Sequence, residues 1–244
     1  MNIIFYAILF IIGSVVGCLW AVKSREIPKN LDLRKTHNTN NPKQELISEL
    51  IYILIGGVST VVLANIWDIN LYEFDISNFI IYVFAMLYIS TLVLIAGIDR
   101  VYLKIDKKMI AFGIITSILY MLYLCIVDLA SMYLSVIYFA IYMILLVIDS
   151  FLLRKFAKDS YIVNLLMLIT MILVFTDLKT LTYTLVMSVI AVGLYVLLLN
   201  CQKKKNGNKK IKLNEIPVGF FVAASNIVVL FMVKIFENYL LINR

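Results

Sequence analysis

The stretch STLVLIAGIDRVYLKIDKKM (Ser90–Met109) decides the fold. It closes an uncharged run that begins at Phe79, meets a carboxylate at Asp99, and gives way at once to Arg100, Lys104, Lys107 and Lys108. A helix of that length crosses a hydrocarbon core of about 30 Å. The cationic cluster that follows marks the side of the membrane that retains positive charge.

The rest of the chain repeats this arrangement. Of its 244 residues 63% are hydrophobic and 15% charged, with a mean hydropathy of +0.97. Soluble domains carry about 25% charged residues, so the composition is that of an integral membrane protein. Eight apolar runs approach span length: Met1–Val22, Leu50–Trp67, Phe79–Ile98, Met109–Val127, Leu129–Ile148, Ser160–Thr176, Thr180–Cys201 and Ile216–Val233. None alternates with the period of two that a barrel strand needs. The expected fold is all-α, a polytopic transmembrane helical bundle of about eight spans in one domain. The first run has neither a basic leader nor a small-residue cleavage site, and is expected to be a span and not a signal peptide.

Charge orients the bundle. Lys23, Arg25, Lys29, Arg34, Lys35 and Lys43 follow the first run, and Arg100 to Lys108 follow the third. Arg154, Lys155 and Lys158 follow the fifth, and Lys203, Lys204, Lys205, Lys209, Lys210 and Lys212 the seventh. The opposite side holds only Lys179, Lys234 and Arg244. Segments 23–49, 99–108, 149–159 and 202–215 are therefore expected to be cytoplasmic loops, with the N-terminus outside. The net charge of +7 is an orientation signal and not a nucleic-acid footprint. The expected location is the inner or plasma membrane, with the lipid bilayer as the principal partner. Cys18, Cys125, Cys201 and His37 show no metal-ligand spacing, so neither a metal nor a cofactor is expected.

Sorted by depth, Asp68, Glu73, Asp75, Asp128, Asp177 and Glu237 fall at the outer boundary. Glu45, Glu49, Asp99, Asp106, Asp149 and Asp159 fall at or near inner span ends. Asp99 closes the third run and Asp159 opens the sixth, at the same depth and on the same side. Two carboxylates held a few ångströms apart cannot both ionise, so one proton is shared between them. The charged member can then deprotonate a water while its partner protonates a scissile carbonyl. Each acid also has a plain reading. Asp99 beside Arg100 suits an ion-paired helix terminus, and Asp159 after Lys158 suits an N-terminal cap.

The order of these features resembles the type IV prepilin peptidases, membrane aspartic endopeptidases that remove leader peptides. IIGSVVG (Ile11–Gly17) is similar to the family's Gly-Ser opening, and Pro42, Glu45 and Leu46 to its Pro-x-x-Glu-Leu entry into the second span. Ile98, Asp99 and Ile105 resemble the first catalytic segment, and Asp159 the aspartate of Gly-x-Gly-Asp. Ile216, Pro217 and Gly219 resemble the entry to the last span. The chain departs from the pattern at Gly17, where asparagine is usual, and at Asp106, which replaces a proline. Phe156 and Lys158 stand in place of both motif glycines, and the first loop carries no cysteine.

The resemblance implies a membrane aspartic endopeptidase with Asp99 and Asp159 as the catalytic pair. Glu45, Glu49, Lys158, Pro217 and Gly219 would support the site or the substrate. The implied partners are pilin-like precursors, cut at the cytoplasmic membrane face during type IV pilus proteolysis. The lost glycines favour a second reading, a non-catalytic assembly or scaffold protein. A third reading, a transporter subunit, would use Asn65, Asn164 and Asp149.

Overall fold

The computed structural model describes residues 3–30, 42–69, 75–127, 160–205 and 216–242, with isolated positions at 137, 140, 141, 144 and 148. Among the described residues lie seven helices and no strand. They are α1 (Ile3–Asn30), α2 (Pro42–Ile66), α3 (Ile76–Tyr102), α4 (Lys107–Val127), α5 (Ser160–Phe175), α6 (Leu178–Lys205) and α7 (Val218–Ile242). All except α5 are long and apolar enough to cross a membrane. The chain is a multi-pass, all-α membrane protein. The expected fifth run, Leu129–Ile148, lies almost wholly outside the described residues.

Helix ends are set by capping chemistry and not by the edge of the apolar run. Asp75 starts α3 by accepting the Ser77 N–H on Oδ1 at 2.9 Å. Asp177 does the same for α6, accepting the N–H of Thr180 at 2.9 Å. Asp106 caps α4, its Oδ1 accepting Lys108 N–H at 3.3 Å and its carbonyl that of Ile110 at 3.2 Å. Each cap satisfies a donor that the first helical turn cannot bond internally. The helices consequently overrun the expected spans. Helix α1 continues from Val22 to Asn30, past a Lys23–Glu26 ion pair, and α2 begins at Pro42, where a missing N–H costs nothing.

The same logic narrows the expected loop 99–108. Helix α3 runs on to Tyr102 and stops where Leu103 turns left-handed at φ 51°, its N–H bonded to the Asp99 carbonyl at 2.9 Å. Only Leu103–Asp106 connect it to α4. Asp99 is thus a helical residue, one turn inside the end of α3.

Helix α3 is the hub. Half of its span is buried, against 11% for the span in α6. It packs on α1, α2, α4 and α7, while α5 lies between α4 and α7. Tyr88, Ile89, Leu92, Ile95 and Ile98 make its fully buried face, at helical spacing. Phe175 of α5 stacks on Tyr88 with ring centroids 3.8 Å apart and on Tyr120 of α4 at 4.6 Å. Polar side chains tie the same helices together. Tyr88 Oη donates to Asn226 Oδ1 at 2.6 Å, and Asn226 Nδ2 donates to Thr184 Oγ1 at 3.0 Å, linking α3, α7 and α6.

Helices α1 and α2 meet backbone to backbone. A methyl group on Gly13 or Gly17 would run into the main chain of α2 at Gly56 or Tyr52, and one on Gly56 into Gly13 and Gly17. Gly13 and Gly17 form a Gly-x-x-x-Gly pair, a spacing that lets two membrane helices approach closely where lipid offers no hydrophobic drive to association.

Candidate functional site

The buried chemistry gathers where α3, α5 and α7 converge. Helix α7 begins after Ile216-Pro217, and the Pro217 carbonyl accepts the Phe221 N–H at 3.3 Å, which makes Pro217 the cap residue. Proline has no side-chain acceptor, so the next donors need partners from elsewhere. Gly219 N–H donates to Tyr161 Oη at 3.1 Å, and Phe220 N–H donates to Asp99 Oδ2 at 2.8 Å. A carboxylate of α3 therefore caps α7, and the positive end of the α7 dipole faces it.

Tyr161 completes the link. Its hydroxyl donates to Asp99 Oδ2 at 3.0 Å while accepting from Gly219. Asp99 is 0% exposed, and its two oxygens are treated unequally. Oδ2 receives two donors, whereas Oδ1 has no hydrogen-bond partner among the described residues. A buried acceptor left unmatched costs of order 1–3 kcal/mol, so Oδ1 carries an energetic penalty that Oδ2 does not.

Gly219 makes the approach possible. A Cβ there would lie 3.0 Å from Asp99 Oδ2 and 2.8 Å from Ile105 Cδ1. Ile105 is itself fixed, because Asn164 Nδ2 donates to its carbonyl at 2.9 Å. Asn164 Oδ1 is a second buried oxygen without a partner among the described residues. Outside the cage the Arg100 guanidinium sits 5.8 Å from the centre of the Phe220 ring, a cation–π contact at the exposed edge.

The structure brings together three of the residues singled out from the sequence, Asp99, Pro217 and Gly219. Glu49 is half-buried on α2. Glu45 falls within α2, but its side chain lies outside the described residues, as do Lys158, Asp159 and Asp149 altogether. Asn65 is exposed at the far end of α2, and Asn164 holds a backbone carbonyl. Arg100 turns to the Phe220 ring, so the ion pair of the plain helix-terminus reading does not form; Asp99 Oδ2 accepts from Phe220 and Tyr161 instead. Among the described residues no three His, Cys, Asp or Glu side chains come together as a metal would require.

Tyr161 and Phe220 were not singled out from the sequence. A signal for Tyr161 was present, since Tyr161 and Asn164 are polar residues at i, i+3 in the first turn of an apolar helix and so share one face. The Phe220 contribution is a main-chain donor, which no side-chain pattern encodes. No protein-family model, curated protein or solved structure matches the chain.

Proposed function

We propose that the chain is a membrane aspartic endopeptidase of the prepilin-peptidase kind, with Asp99 and Asp159 sharing one proton at the basic ends of α3 and α5. The carrying observation is the Asp99 carboxylate, buried and anchored through Oδ2 alone, with Oδ1 left for a second acid or a water. Tyr161, two residues after Asp159, reaches that carboxylate, which supports the start of α5 as the source of the partner.

In this mechanism the ionised acid takes a proton from water as the oxygen attacks the scissile carbonyl. The protonated acid gives its hydrogen to the carbonyl oxygen, and a tetrahedral diol forms. Collapse returns one proton to an acid and delivers another to the leaving amine, restoring the shared-proton state. Substrates would be pilin-like precursors whose apolar N-terminal helix lies in the bilayer and whose leader stays at the basic face. The test is processing of such a precursor in membranes by wild type, D99N and D159N. Loss in both variants is expected, and undiminished processing by either overturns the reading.

A second reading has its own observation. One of the two donors to Asp99 Oδ2, the Phe220 N–H, is a donor that a proline-capped α7 leaves unbonded, and a cap alone would account for the carboxylate. With Phe156 and Lys158 in place of the motif glycines, the protein would then capture pilin-like helices without cutting them. Stable co-purification of uncut precursor with wild type identifies that case.

A further inference from the structure

Tyr161 has more to do than fill space between α3 and α7. Its oxygen accepts from Gly219 N–H, so its own hydrogen is directed away from α7 and toward Asp99 Oδ2. The polarity of this relay is fixed by the main chain, because a backbone N–H can only donate. Phe220 N–H approaches the same oxygen. Two donors arriving from different helices restrain the rotation of the carboxylate about Cβ–Cγ, and both converge on Oδ2. Oδ1 is consequently held at a defined place with no donor from α3, α5 or α7.

We propose that Tyr161 is the positioning residue of the site, turning the Asp99 carboxylate so that Oδ1 alone meets the attacking water. The inference rests on the peptidase reading and deepens it. Tyr161 touches neither water nor substrate in this role and acts through Asp99. Donation to an ionised carboxylate is a strong, directional hydrogen bond. Its loss lets the carboxylate swing about its remaining anchor at Phe220. Misplacing a reacting oxygen lowers turnover with little effect on substrate affinity.

The experiment compares wild type, Y161F and D99N in membranes, with infrared spectra of protein carrying carbon-13-labelled aspartate. The difference between wild type and D99N isolates the Asp99 band. In Y161F that band is expected to move, kcat to fall roughly ten- to hundredfold, and KM to stay within about twofold. A band that does not move, or a wild-type kcat despite a moved band, overturns the inference. Should Y161F fail to accumulate, 3-fluorotyrosine at position 161 keeps ring and hydroxyl while changing donor strength. An unchanged Asp99 band in that protein is equally fatal. Failure of the peptidase reading looks different, since wild type would then leave precursor uncut, or D99N would process it as wild type does.

Discussion

Gly219 faces Asp99 so closely that a methyl group on its α-carbon would lie 3.0 Å from Oδ2 and 2.8 Å from Ile105 Cδ1. Asp99 has little freedom to yield, and the Ile105 methyl can yield only by a side-chain shift within the core, where Ile105 is buried. Asp99 is held by two donors, and the backbone of Ile105 is held by Asn164. G219A is expected to lower stability by about 1–3 kcal/mol through overpacking. Chemical unfolding in detergent measures this, and a G219A protein as stable as wild type would mean that α7 slides freely past α3.

Asp99 has a structural task separable from any chemical one. D99N keeps an oxygen that accepts from Phe220 and Tyr161, so its midpoint of unfolding should stay near that of wild type, while the proposed precursor processing is expected to disappear. D99L removes the acceptor and leaves both donors buried. It is expected to cost about 2–4 kcal/mol, from two unmatched groups at about 1–3 kcal/mol each with partial relief by water. Equal stability of D99N and D99L would contradict the cap.

The Tyr88–Asn226–Thr184 bridge joins three helices deep in the bundle, where Asn226 is 0% exposed. Hydrogen bonds between membrane helices contribute about 0.6–2 kcal/mol. N226L breaks both bonds at once and is expected to cost at the upper end of that range. Y88F breaks only one and keeps the stack on Phe175, so it should cost less. The reverse order would show that the Tyr88 hydroxyl, not the Asn226 amide, carries the junction.

Gly13, Gly17 and Gly56 hold α1 against α2 with no room for a side chain between them. G17V places a branched side chain against the Tyr52 backbone and is expected to separate the pair. Cross-linking between cysteines introduced at neighbouring positions on α1 and α2 should fall sharply. A larger residue at Gly193, whose surroundings are open, is the matched control and should leave cross-linking unchanged.

The class of fold was legible because span-length apolar runs and one-sided basic loops are properties of composition alone. Helix limits were less so, since Asp75, Asp106 and Asp177 act as caps through geometry that an apolar count does not register. At the candidate site, Asp99, Pro217 and Gly219 were readable, but their relationship was not. Pro217 had to be a cap residue without an acceptor before Asp99 acquired a reason to lie beneath α7. The Gly13–Gly17 spacing is plain in the sequence, but its packing role is not, because that depends on Gly56 and Tyr52 of α2 meeting it.

The cage around Asp99 is assembled from helices that translation produces in a fixed order. Tyr161 lies 62 residues downstream and Phe220 lies 121. At roughly 5–20 residues per second the ribosome needs roughly 6–24 s to travel from the carboxylate to its last donor. Tyr161 is made about halfway through that interval, so until Phe220 follows the acid has at most one of its two donors. Assembly of the cage is therefore an end-of-synthesis event, and a chain stalled before α7 would be inserted with Asp99 lacking its main-chain donor.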